Sequence, residues 1–90
     1  MSEHHLLLYV YSDDMAERRG PYREEHLRRI QVEKDAGRIL IAGAIGDPIN
    51  GGAMAWKGAT VEEIDAFVQA DPYREPGLIL SYRIEPWNLV

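Results

Sequence analysis

Ninety residues allow one domain, residues 1–90, and a chain of this size buries only about 60–65% of the surface its unfolded form exposes, so a partner subunit would help. Ten Lys and Arg against 15 Asp and Glu leave a net charge of −5, which repels phosphate backbones and argues against nucleic acid as a partner. The absence of cysteine removes disulfides, thiolate nucleophiles and thiolate metal sites, and the longest apolar run, Leu6 to Tyr11, is far too short to span a bilayer, so the expectation is a cytoplasmic protein with no membrane association.

Leu6-Leu7-Leu8-Tyr9-Val10-Tyr11 is unbroken, too short for a helix and ended by Ser12-Asp13-Asp14; it reads as a strand buried on both faces. Met15 to Gly20 is charged and reads as a loop or loose turn. Pro21 suits the first turn of a helix running to Ala36, with Glu24 and Glu25 near its positive end and Gly37 as its stop. Leu27 and Ile30, with Arg23 and Lys34 at the same spacing, give this helix a narrow apolar stripe. Arg38 to Gly43 predicts a second strand, Ala44 to Gly51 a loop, and Gly52 to Trp56 a third strand that closes a hairpin.

Thr60-Val61-Glu62-Glu63 has the spacing of a capping box, and Val61, Ile64, Phe67 and Val68 continue it as a helix with a wide apolar face. That helix closes at Ala70-Asp71 before Pro72, which cannot extend it. Leu78, Leu80, Tyr82 and Ile84 alternate with Ile79, Ser81, Arg83 and Glu85 and predict a fourth strand ended by Pro86. The order β-α-β-β-α-β predicts an α+β, ferredoxin-like fold, an antiparallel sheet with two helices on one face. The other face is then uncovered, and a homodimer formed through the sheets is the simplest closure.

Right-handed crossovers place the start of the first helix and the end of the second at the same edge of the sheet, so His26 and Asp71 share one end of the molecule. Tyr11, Ser12 and the 44–51 loop fall there too and would rim a small pocket. An aspartate accepting from one imidazole nitrogen fixes the tautomer and makes the other nitrogen a better base, the requirement for proton transfer near neutral pH. Topology permits the contact without requiring it: a lone helical histidine is more often a satisfied packing residue, and an Asp before Pro is commonly a turn residue. Trp56 and Tyr73 are candidates for a pocket wall or for core. His4 and His5 are wrongly spaced to share a metal on a helix face, and Gly43, Gly46, Gly51 and Gly52 form no phosphate-binding fingerprint. Arg18, Arg19, Arg23, Arg28 and Arg29 read as a solvated face, Arg23 lying one helical turn from His26.

These residues resemble the YCII-related (YciI-like) family over nearly the whole chain. Arg23-x-x-His26-Leu27, Asp35-x-Gly37-Arg38-x-Leu40-x-Ala42-Gly43, Ala70-Asp71-Pro72-Tyr73 with Gly77-Leu78, and Glu85-Pro86-Trp87 carry the likeness. The resemblance implies the dimeric α+β barrel superfamily, a catalytic His/Asp pair at His26 and Asp71, and kinship with muconolactone isomerases and dehydrochlorinases of aromatic breakdown products. Ala44 departs from it, standing where the family often has proline. The first reading is a lyase or isomerase without cofactor or metal, with Arg23, Tyr11 and Tyr73 binding a small-molecule substrate. The alternative is a non-catalytic ligand-binding or structural dimer of the same fold.

Overall fold

Alternation decides the sheet. In the computed structural model, which describes residues 3–90, Leu7, Tyr9 and Tyr11 of β1 (His4–Tyr11) turn to one side and are buried, while Leu6 and Leu8 are half-buried and Val10 is exposed on the other. In the single chain β1 is therefore covered on one face only, against the expectation of two. The helix α1 (Met15–Arg18) occupies the segment expected to be a loop: Met15 is buried and anchors the turn, and Arg18 pairs with Asp14 four residues back. Next come α2 (Gly20–Asp35), β2 (Ile39–Ile45), β3 (Gly51–Lys57), α3 (Val61–Gln69) and β4 (Ile79–Trp87).

The strand order is β2-β3-β1-β4, every neighbouring pair antiparallel. This is the ferredoxin-like arrangement: β1 and β2 run parallel with β3 between them, and β3 and β4 run parallel with β1 between them. Two boundaries differ from expectation. The hairpin between β2 and β3 is tighter, its loop reduced to 46–50, and β4 continues through Pro86 to Trp87. A proline is tolerated there because β4 is an edge strand that pairs only with β1, where Pro86 faces His5.

The two long helices cover the sheet unequally. On α3, Ile64, Phe67 and Val68 are buried, and the predicted capping box is formed: Thr60 Oγ1 accepts from the Glu63 N–H, and Glu63 Oε1 accepts from the Thr60 N–H. Trp56 joins this half of the core, edge-on to Phe67 with ring centroids 5.0 Å apart. On α2 only His26 and Ile30 are buried along 16 residues. Beneath it β2 presents Ala42, Gly43 and Ala44, too small to fill the space, and a cavity opens between helix and sheet. Arg29 is a correction to the solvated-face reading: its guanidinium donates to the Phe67 carbonyl and lies over the Phe67 ring at 4.4 Å, tying α2 to α3.

Candidate active site

The site begins with a turn. After α3 ends, Asp71 N–H donates to the Val68 carbonyl, and the chain folds through Tyr73 and Gly77 so that Leu78 can accept from the Ser12 N–H at the end of β1. This return places the Asp71 side chain under α2, where it is buried. His26 Nδ1 lies 3.0 Å from Asp71 Oδ1 and 3.1 Å from Oδ2, across 45 residues of sequence. The Tyr73 N–H donates to Oδ1 at 2.9 Å, and the Tyr9 hydroxyl donates to Oδ2 at 2.8 Å. One carboxylate thus gathers donors from α2, from β1 and from its own turn.

Burial alone would raise the Asp71 carboxyl, but the hydrogen bond and charge of His26, the Tyr73 N–H and the Tyr9 hydroxyl outweigh it and hold the group below the ordinary carboxylate range. Asp71 is therefore ionised at neutral pH and can only accept, so His26 Nδ1 carries a proton towards it. Desolvation, reinforced by the Asp71 charge, pushes the phenols of Tyr9 and Tyr11 far up, so both keep their protons. Burial likewise raises Tyr73, although Arg19 and Arg23 oppose the shift. With Nδ1 committed to Asp71, the free lone pair of a neutral His26 is on Nε2, which makes no hydrogen bond among the described residues.

His26 stacks on Tyr73, ring centroids 4.0 Å apart and planes 20° from parallel, and Tyr11 meets Tyr73 edge-on at 5.9 Å. These rings form one end of the cavity, about 410 Å³, whose wall is completed by the α2 stripe from Arg23 to Lys34, by Ala42, Gly43 and Ala44 of β2, and by Met15 and Met54. All five residues singled out from sequence come to this place. His26, Arg23, Tyr11 and Tyr73 line the cavity; Asp71 sits behind His26 and does not. Ser12 and the 46–50 loop, expected on the rim, take no part, because the tighter hairpin withdraws the loop and only Ala44 of the expected segment remains.

Among the residues not read as part of the site, three carry hydroxyl or charged groups that bear on its chemistry. Tyr9 was legible in principle: it lies two residues before Tyr11 on the same strand and must share its face. Arg19 was assigned to a solvated face and Lys34 to the helix stripe, yet both line the cavity. Among the described residues no three His, Asp or Glu side chains gather where they could hold one metal ion, and no helix is long and apolar enough to cross a membrane.

A scan against protein-family models matches the YCII-related domain over residues 4–88. Protein YciI of Escherichia coli O6:H1 and protein YciI of Shigella flexneri are each 33% identical over 97 aligned positions, covering 94% of this chain and 99% of the relative. Among solved structures, the 5-chloro-2-hydroxyhydroquinone dehydrochlorinase TftG of Burkholderia phenoliruptrix AC1100, in complex with 2,5-dihydroxybenzoquinone, superposes with a TM-score of 0.81 at 19% identity, over 97% of this chain and 95% of that one. At that identity the likeness speaks to the fold.

Proposed function

The chain belongs to the YCII-related family, and we propose that it is a small-molecule lyase or isomerase whose working groups are His26 and Asp71. The observation that carries this reading is the buried contact of His26 Nδ1 with an ionised Asp71, which leaves Nε2 as the free base of a ring that lines a cavity. A structural histidine needs no cavity beside its ring. In the forward step Nε2 takes a proton from a carbon next to a carbonyl or comparable acceptor, and the C–H electron pair moves into the substrate as an enolate. Asp71 faces the imidazolium that results and stabilises it. The enolate then takes the proton back from Nε2 at another carbon, an isomerisation, or expels a leaving group such as chloride with its C–Cl electron pair, an elimination, after which the imidazolium releases its proton to water. A dehydrochlorinase of the same fold is consistent with the second outcome. Tyr11 and Tyr73 form the aromatic wall against which a planar substrate would lie, and neither step draws on a cofactor.

The assembly belongs to the same proposal. The pairing register puts Leu6, Leu8 and Val10 of β1, Ala53 and Ala55 of β3, and Ile41 and Ile45 of β2 on the face away from the helices. Ile41 is 68% exposed in the single chain, and a second copy packed sheet to sheet would cover this apolar surface. Sedimentation equilibrium at micromolar concentration is expected to return the mass of a dimer, and a monomer mass would contradict it. For the chemistry, the test is an ultraviolet assay on chlorinated hydroxyhydroquinones and unsaturated lactones with wild type, His26→Ala and Asp71→Asn. Turnover is expected to fall by about 10²–10⁴-fold in His26→Ala, the usual worth of a positioned acid–base group. Turnover that survives His26→Ala, or ligand binding with no turnover by wild type on any of these compounds, would sink the enzyme reading and leave a binding protein.

A further inference from the structure

Of the ten Lys and Arg, Lys57, Arg74 and Arg83 are outside the cavity wall, Arg74 donating to Gln69 Oε1, and the other seven divide into two groups. Arg18 pairs with Asp14, Arg28 with Glu25, and Arg38 with Glu33 and Glu63, while Arg29 is held by the Phe67 carbonyl and ring. Among the described residues Arg19, Arg23 and Lys34 have no carboxylate partner, and all three line the cavity that His26 faces. Among the described residues no Asp or Glu lines the cavity; Asp71 is behind the His26 ring and already holds three donors. Arg19 and Arg23 both act on the Tyr73 hydroxyl as positive neighbours, so their charge reaches the aromatic end of the cavity.

The geometry points to an anionic substrate, a small organic acid whose carboxylate or acidic phenolate is held by Arg19 and Arg23 beside the His26 ring. This rests on the proposed function for the identity of the site and adds the class of molecule that enters it. Two arginines present planar donor forks suited to an oxyanion, and they sit four residues apart at the start of α2, Arg23 one turn and the capping residue Arg19 two turns before His26. Lys34 is eleven residues beyond Arg23 on the same stripe, about 16 Å along the axis, too far to share that group. It extends the positive field along the cavity and draws anions in against the net negative charge of the molecule. Removing a proton from an already anionic substrate builds up further negative charge, which the same two guanidinium groups would stabilise.

Benzoate and benzamide are matched in shape and differ in charge, and titrating each into ¹⁵N-labelled protein at fixed ionic strength, followed at the Gly43 and Tyr73 amides, isolates the effect. Benzoate is expected to bind wild type about tenfold tighter than benzamide, the worth of one charge-assisted contact in a half-open site. Arg23→Gln and Arg19→Gln should each remove most of that preference, and Arg28→Gln, whose arginine is paired outside the cavity, should leave it unchanged. His26→Gln takes away the proton carrier but none of the three cations, so the preference should persist there. That variant separates the two ideas: an anion preference retained in His26→Gln stands even if turnover proves independent of His26. Equal binding of the two probes, absence of a benzoate-dependent shift at these amides, or a preference that ignores both arginine changes would overturn the inference.

Discussion

Replacing Tyr9 with Phe removes one hydroxyl and little else. The ring is buried beneath the helices, so the change leaves the packed volume almost intact and deletes the 2.8 Å hydrogen bond to Asp71 Oδ2. A hydrogen bond to a buried charged acceptor contributes about 1.5–3 kcal/mol; Asp71 keeps the Tyr73 N–H and His26, which places the loss near the lower end, about 1.5 kcal/mol. For a domain of this size that is roughly 6–12 °C in Tm. The loss should depend on pH. Asp71 has a depressed pKa in the folded state, so the stability it contributes is complete above its unfolded value of about 3.9 and is lost as pH falls through the folded value. Once Asp71 is protonated, the Tyr9 contact is a neutral hydrogen bond, and the difference between the two proteins should shrink to about 0.5–1 kcal/mol. Urea unfolding followed by tryptophan fluorescence, at one protein concentration and at pH values on either side of about 4, measures both quantities. Equal stability at neutral pH, or a loss that stays constant through the acid range, would show that Tyr9 does not support the carboxylate.

Two further outcomes concern the frame around the site. A Cβ built on Gly51 would stand 2.6 Å from the Tyr9 carbonyl oxygen, whereas one on Gly43 would meet nothing within 4 Å; Gly51→Ala should therefore cost about 1–3 kcal/mol and Gly43→Ala much less, by urea titration. Thr60→Ala should cost about 1 kcal/mol through loss of the capping box while leaving the titration shifts caused by benzoate unchanged, because α3 contributes no wall to the cavity.

What could be read before the structure was whatever depends on period and handedness. The right-handed crossovers put His26 and Asp71 at one end of the sheet, and the capping box at Thr60 fixed the start of α3. What could not be read depended on neighbours distant in sequence. Pro86 looked like a strand end because nothing local says that β4 is an edge. Met15 to Arg18 looked like a loop because the anchor of the turn, one buried methionine among charges, gives no periodic signal. Arg29 has the same local surroundings as Arg28, yet one lies on a phenylalanine of another helix and the other in a surface ion pair. The role of Arg19 and Lys34 as cavity wall follows from the small residues of β2, which leave room beneath α2.

The three donors on Asp71 also bear on how the molecule reaches its native state. Tyr9 and Asp71 are 62 residues apart and His26 and Asp71 are 45 apart, so both contacts close large loops and become favourable only when the two crossover units have docked. Local elements such as α3 and the 46–50 hairpin have no such delay. By this reasoning the dyad is among the last features to assemble, and a collapsed chain with its helices formed and its halves still undocked would have no oriented imidazole. Mutations that weaken the Asp71 cluster would then act chiefly on the rate of unfolding and hardly on that of folding. The site would be the fastener that keeps the closed molecule closed, and its loss would shorten the lifetime of the native protein without slowing its formation.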